Sequence, residues 1–97
     1  TLMIARADDG VIVCALTLAV YRVPTGIRSA IEDVIVDVSV RGEGIGEALM
    51  RRAIELAREK GANNISLTSN PMRKAANKLY LRVGFTKRET NAYQIKL

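Results

Sequence analysis

The stretch that most limits how this chain can fold is Val38-Ser39-Val40-Arg41-Gly42-Glu43-Gly44-Ile45-Gly46-Glu47. A β-branched, apolar segment from Ile31 to Val40 runs into a glycine-rich turn, and helical spacing begins at Ile45. Gly42, Gly44 and Gly46 let the backbone turn sharply and approach a ligand closely. The first N–H groups of the helix have no intrahelical partner. With the positive end of the macrodipole they make a site for a phosphate or another anion. Arg41, at the mouth of the turn, adds a fixed positive charge.

The 97 residues suit one small domain with a single core, 1–97, and contain no repeat, linker or low-complexity segment. No apolar run reaches the ~18 residues of a membrane span, and the start has no signal-peptide pattern. The lone cysteine, Cys14, lies in the apolar run Val11 to Val20 and reads as a small core side chain. A cytoplasmic chain is expected. Histidine is absent, which takes the commonest member from serine triads, from imidazole base catalysis and from zinc sites, so no metal is expected. A net charge of +5 invites nucleic acid or a phosphate-bearing cofactor. The basic residues read as spread along the chain. The aromatic residues are Tyr21, Tyr80, Phe85 and Tyr93, too few for a platform that stacks single-stranded nucleic acid.

In chain order, strands are expected over Thr1 to Ala7, Val11 to Tyr21 and Ile27 to Val40, joined by turns at Asp8-Asp9-Gly10 and Pro24-Thr25-Gly26. The apolar length of the second strand suggests cover on both faces. A helix from Ile45 to Lys60 carries Ile45, Leu49, Ala53, Leu56 and Ala57 on one stripe and ends at Gly61. Asn64 to Thr68 then returns to the sheet, parallel to the strand ending at Val40. Asn70-Pro71 signals a second helix, with Met72, Ala76, Leu79 and Val83 as its buried stripe and Gly84 at its close. Phe85 to Glu89 and Ala92 to Leu97 complete the order β-β-β-α-β-α-β-β, an α+β fold with a mixed sheet.

Arg41-Gly42-Glu43-Gly44-Ile45-Gly46 resembles the R/Q-x-x-G-x-G/A signature of GNAT N-acetyltransferases, at the strand-to-helix junction where that family carries it. Further on, Ala76-Asn77-Lys78-Leu79-Tyr80 and Val83-Gly84-Phe85 look like the family's second-helix segment. The resemblance implies a GNAT-like fold, acetyl-coenzyme A as acetyl donor and a primary amine, not identified by the sequence, as acceptor. It places Val38 and Val40 along pantetheine and the N–H groups of Gly42, Gly44, Ile45, Gly46 and Glu47 around the pyrophosphate. Asn77 matches the residue that contacts the cofactor arm. Tyr80 matches the residue that meets the cofactor and protonates the leaving sulfur. Glu32 lies where many members place a base or a water-holding carboxylate, and Asp33, by the strand's period of two, faces the other way. The chemistry needs a base for the amine, a donor for the oxyanion and an acid for the thiolate.

Family domains begin with one more strand and a pair of helices, so this chain reads as N-terminally short. An exposed sheet edge of that kind favours a homodimer. The alternative to an N-acetyltransferase is a non-catalytic module of the same fold that binds acyl-coenzyme A or a protein partner. A Rossmann site is disfavoured because Glu47 holds its third glycine position and Ser66 the place of its acidic residue. A P-loop fails for want of a Gly-Lys-Ser/Thr ending.

Overall fold

The computed structural model of the chain describes residues 1–6, 10–36, 44–69 and 72–97. Strands β1 (Leu2–Arg6), β2 (Ile12–Val23) and β3 (Gly26–Val36) form the expected antiparallel meander. Helix α1 (Ile45–Glu59) crosses over to β4 (Ile65–Ser66), which pairs parallel with β3, and helix α2 (Lys74–Arg82) follows. The sheet order is β1-β2-β3-β4, so neighbours in sequence are neighbours in space. The mixed sheet with its parallel crossover is the α+β arrangement that the pattern predicts.

The core lies between one face of the sheet and α1. Cys14, Leu16 and Leu18 of β2 and Ile31 of β3 cluster with Leu49, Met50, Ala53 and Ala57 of α1 and with Tyr80 of α2. Met3 and Ala5 pair with Leu16 and Cys14, so they join the same face and pack against the cluster. Full burial of a side chain such as Leu18 or Met50 contributes roughly 1.5–3 kcal/mol. Ala53 and Ala57 let α1 lie close to the sheet. Met50, absent from the predicted stripe, is fully buried.

Among the described residues, the opposite face of β2 is not fully covered, contrary to expectation. Ala15, Thr17 and Ala19 are half-buried there, and Ile12 and Tyr21 are exposed. The long apolar run of β2 therefore reflects one buried face with small residues between, not two buried faces.

Two further expectations fail. Helix α2 begins at Lys74, because Arg73 has ψ 71, outside the helical region. Met72 is consequently exposed, and the single buried residue of α2 is Tyr80. Asn70 and Pro71 lie outside the described residues, as do Asp8 and Asp9. Phe85 to Glu89 and Ala92 to Leu97 form no strand: Tyr93, Ile95 and Leu97 alternate as a strand would, yet all three are exposed. Alternation marks a face, but a strand also needs an edge to pair with, and no edge of this sheet takes the segment.

Candidate functional site

The site lies where β3 and β4 part. Their pairing is pinned at its start by the Asn63 N–H donating to the Ile27 carbonyl at 2.7 Å and by the Ser29 N–H and Oγ donating to the Asn64 carbonyl at 3.2 and 2.7 Å. Ser29 is fully buried, so this bond satisfies a hydroxyl that burial would otherwise penalise. The ladder runs through Ser29–Ile65 and Ala30–Ser66 and then stops. Beyond it a cavity of about 340 Å³ opens. Ile31, Glu32, Asp33 and Val34 of β3 line one wall, Leu67 and Thr68 the other, with Arg73, just before α2, and Tyr80 of α2 closing it. One residue past Thr68, Ser69 buries its Oγ with no hydrogen-bond partner among the described residues.

A β-bulge shapes the first wall. Ala15 pairs with Ile35 and Thr17 with Glu32, so Asp33 and Val34 together stand opposite Leu16. Asp33 takes φ 54, the one positive value among described residues other than glycine. A bulge adds a residue, breaks the two-residue period and re-aims the side chains beyond it. Both Glu32 and Asp33 therefore line the cavity, whereas regular alternation sends Asp33 to the other face. Holding a residue of this kind in the left-handed region costs on the order of 1–2 kcal/mol, with aspartate among the more tolerant types.

Tyr80 reaches the cavity through the way α2 ends. Gly84, at φ 112, lets the chain reverse, so its N–H donates to the Leu81 carbonyl at 3.2 Å and the Phe85 N–H to the Tyr80 carbonyl at 2.9 Å. This pair of bonds is a Schellman cap, and its accompanying apolar contact is the edge-to-face packing of Phe85 on Tyr80, with ring centroids 6.2 Å apart. The spacing Tyr80–Gly84–Phe85 is thus a device for fixing the tyrosine. Asn77, on the same helix, donates from its backbone N–H and from Nδ2 to the Arg73 carbonyl at 3.0 and 2.9 Å.

Helix α1 opens on Gly44 in the left-handed conformation, φ 78 and ψ 4, with open space where a side chain would stand. Its first ladder bond runs from the Ala48 N–H to the Gly44 carbonyl at 3.0 Å. The N–H groups of Ile45, Gly46 and Glu47 precede that ladder, as an anion site requires. Glu47 accepts from Arg82 Nε at 2.5 Å and Arg51 Nε at 3.3 Å. The Arg82 guanidinium holds the Glu47 carboxyl below its usual range, and Arg51 adds to the effect. This ties the first turn of α1 to the last turn of α2, two positions beyond Tyr80. Val38, Val40, Arg41 and Gly42 lie outside the described residues.

A second cavity, of about 230 Å³, is lined by Ile12, Val13, Cys14, Ala15 and Ile35. It offers no acid or base, and burial pushes the Cys14 thiol up, away from the reactive thiolate. Among the described residues no group of His, Cys, Asp and Glu is arranged to hold a metal ion. No described helix is long and apolar enough to cross a membrane. Sequence reasoning missed Asp33 as a cavity residue, along with Thr68 and Arg73. An alternation rule does not anticipate a bulge, and a single arginine in a basic segment carries no signal of its own.

Residues 1–85 match the acetyltransferase (GNAT) family. The chain is 43% identical to the streptothricin acetyltransferase of Streptomyces lavendulae over 58 residues, 60% of this chain and 31% of that protein. It is 36% identical over 58 residues to a probable glucosamine 6-phosphate N-acetyltransferase of rice (Oryza sativa subsp. japonica), 60% of this chain and 33% of that protein. Each match thus spans about a third of the relative's length. Among solved structures, an acetyltransferase of Trypanosoma brucei superposes with a TM-score of 0.84 at 29% identity, covering 99% of this chain and 68% of that one. With the glycine-led helix, the parting strands and the capped tyrosine helix in one fold, the chain belongs to the GNAT acetyltransferase family.

Proposed function

We propose that this chain transfers an acetyl group from acetyl-coenzyme A to a primary amine by direct attack in a ternary complex. The observation that carries the reading is the cavity between β3 and β4, with Tyr80 closing it on one side and Glu32 standing in its wall. Acetyl-coenzyme A supplies an activated thioester, so the chain has only to bind, orient and move protons. The N–H groups of Gly44, Ile45, Gly46 and Glu47 receive the pyrophosphate, together with Gly42 and Arg41. The Glu47 carboxylate does not oppose that anion, because Arg82 and Arg51 already compensate its charge. Val38 and Val40 run along pantetheine, and Asn77 meets the same arm.

In this reading Glu32 takes the proton from the attacking amine, and the Tyr80 hydroxyl donates to the departing sulfur. Tyr80 is buried, so its proton is delivered in a water-poor setting where directed donors act strongly. The names of the two relatives, an acetyltransferase for streptothricin and an N-acetyltransferase for glucosamine 6-phosphate, support a small-molecule acceptor.

The test is calorimetric titration of the chain with acetyl-coenzyme A, followed by thiol release with a panel of primary amines. Micromolar binding and amine-dependent release are expected. Tyr80→Phe should lower turnover by about 100-fold or more while donor affinity stays within twofold. Unchanged turnover removes Tyr80 from the acid role. Binding with no release for any amine leaves the non-catalytic module as the reading, and a folded chain that does not bind ends both.

A further inference from the structure

We infer that the acceptor carries an anionic group beside its amine, and that Arg73 is the residue that reads it. The inference rests on the acetyl-transfer reading of the same cavity. Three charged residues line that cavity: Glu32 and Asp33 on the bulged wall and Arg73 just before α2. Among the described residues, none of the three makes an ion pair or a side-chain hydrogen bond. The ion pairs that do form lie along α1 and between α1 and α2. All three residues are exposed at this cavity, and among the described residues none closes on another.

This layout discriminates between ligands. A simple monoamine satisfies the carboxylates and leaves Arg73 unanswered. A diamine brings a second positive charge towards the guanidinium. An amine with a carboxylate or phosphate a few bonds away answers both signs of charge at once. Arginine suits that task, because its planar fork binds either oxyanion through two parallel hydrogen bonds. A cavity of about 340 Å³ has the size of a small-metabolite site.

Arg73 is also held in place. Its carbonyl accepts both the backbone N–H and Nδ2 of Asn77, which clamps the residue to the first turn of α2. The helix is fixed in turn by the buried Tyr80 and by the Arg82–Glu47 pair. These bonds fix the backbone from which the exposed Arg73 side chain extends, so its reach into the cavity starts from a set point.

The experiment compares kcat/KM, by thiol release, for matched acceptors with and without the anion. Alanine is set against alaninamide, glucosamine 6-phosphate against glucosamine, and 1,4-diaminobutane serves as the dicationic control. The two pairs separate a carboxylate from a phosphate as the group that is read. At least one anionic acceptor should exceed its neutral partner tenfold. Arg73→Gln should erase that ratio mainly by raising KM, and Arg73→Lys should restore only part of it. Neutral amines or the diamine doing as well as the anionic acceptors overturns the inference and leaves acetyl transfer standing. A ratio that survives Arg73→Gln overturns it as well, as does a loss of acetyl-coenzyme A affinity in that variant with selectivity intact, since the guanidinium then serves the donor. No release with any acceptor removes the inference together with the reading beneath it.

Discussion

Helix α1 buries Leu49, Met50, Ala53 and Ala57, whereas helix α2 buries Tyr80 alone. The two helices nonetheless end alike. In α1 the Gly61 N–H donates to the Arg58 carbonyl at 2.9 Å and the Ala62 N–H to the Ala57 carbonyl at 3.0 Å, the same Schellman pattern that Gly84 and Phe85 make in α2. What differs is the residue each cap secures. In α1 the cap meets Ala57, one of several anchors in a stripe. In α2 it meets Tyr80, which is both the one fully packed residue of the helix and the proposed acid, while Ala76 and Val83 are only partly buried against the core. Because the deepest contact of α2 is also its functional side chain, packing and chemistry at Tyr80 cannot be varied independently except at the hydroxyl.

The largest effects should come from removing the anchors. Met50→Ala empties a fully buried position and should lower global stability by about 2–5 kcal/mol, read by denaturant unfolding. Tyr80→Ala removes a larger side chain, yet its loss should concentrate in α2. Native-state hydrogen exchange should show α2 amides losing protection while those of α1 keep theirs. Equal loss of protection in both helices would show that they unfold as one unit and that the contrast does not hold.

Exchanging the cap glycines should have a smaller effect. Gly61 and Gly84 have φ 81 and 112, and an added side chain would meet at most an ordinary contact, with Ile27 near Gly61 and open space near Gly84. Each change to alanine should therefore cost about 1–2 kcal/mol through backbone strain alone. The readouts should separate the two helices. Gly84→Ala should lower acetyl-transfer turnover beyond what its stability loss explains, because it shifts Tyr80. Gly61→Ala should lower the melting temperature and leave turnover at its original value. Turnover falling equally in both would make the caps equivalent and detach Tyr80 from its cap.

How much of this was legible depends on whether the signal was local. The three-strand meander, α1 with its Gly61 stop and the parallel return at Ile65 follow from periodicity and turn chemistry within a few residues. The glycine-led start of α1 and the Tyr80–Gly84–Phe85 spacing were legible for the same reason. The shared face of Glu32 and Asp33 was not, since it depends on a bulge set by how β3 meets Leu16 of β2. Nor was the absence of strands after Gly84, because alternation within the segment does not say whether it pairs with either sheet edge, β1 or β4. One signal stood in the sequence unread. Arg73, Lys74, Lys78, Arg82, Lys87, Arg88 and Lys96 face a single acid, Glu89, after position 71, so the positive charge gathers at this end of the chain and is not evenly spread.

The smallest effect tests the link between the two helices. Glu47 joins the first turn of α1 to Arg82 of α2, with Arg51 as a second partner on its own helix. Because these partners favour the carboxylate, the pKa of Glu47 in the folded chain lies below its reference value of 4.5. A depressed carboxyl contributes stability in full above the unfolded value and loses it as pH falls through the folded one. Glu47→Gln should therefore melt slightly below the original chain at neutral pH. The gap should close as pH drops below 4.5, and it should narrow with added salt because the pair is solvent-accessible. Arg82→Gln should reproduce both behaviours and Arg51→Gln only part of them, since the Arg82 contact is the first cause of the shift. If Arg51→Gln instead matches Glu47→Gln while Arg82→Gln does nothing, the carboxylate stabilises α1 alone, and α2 is held by Tyr80 and its partly buried neighbours only.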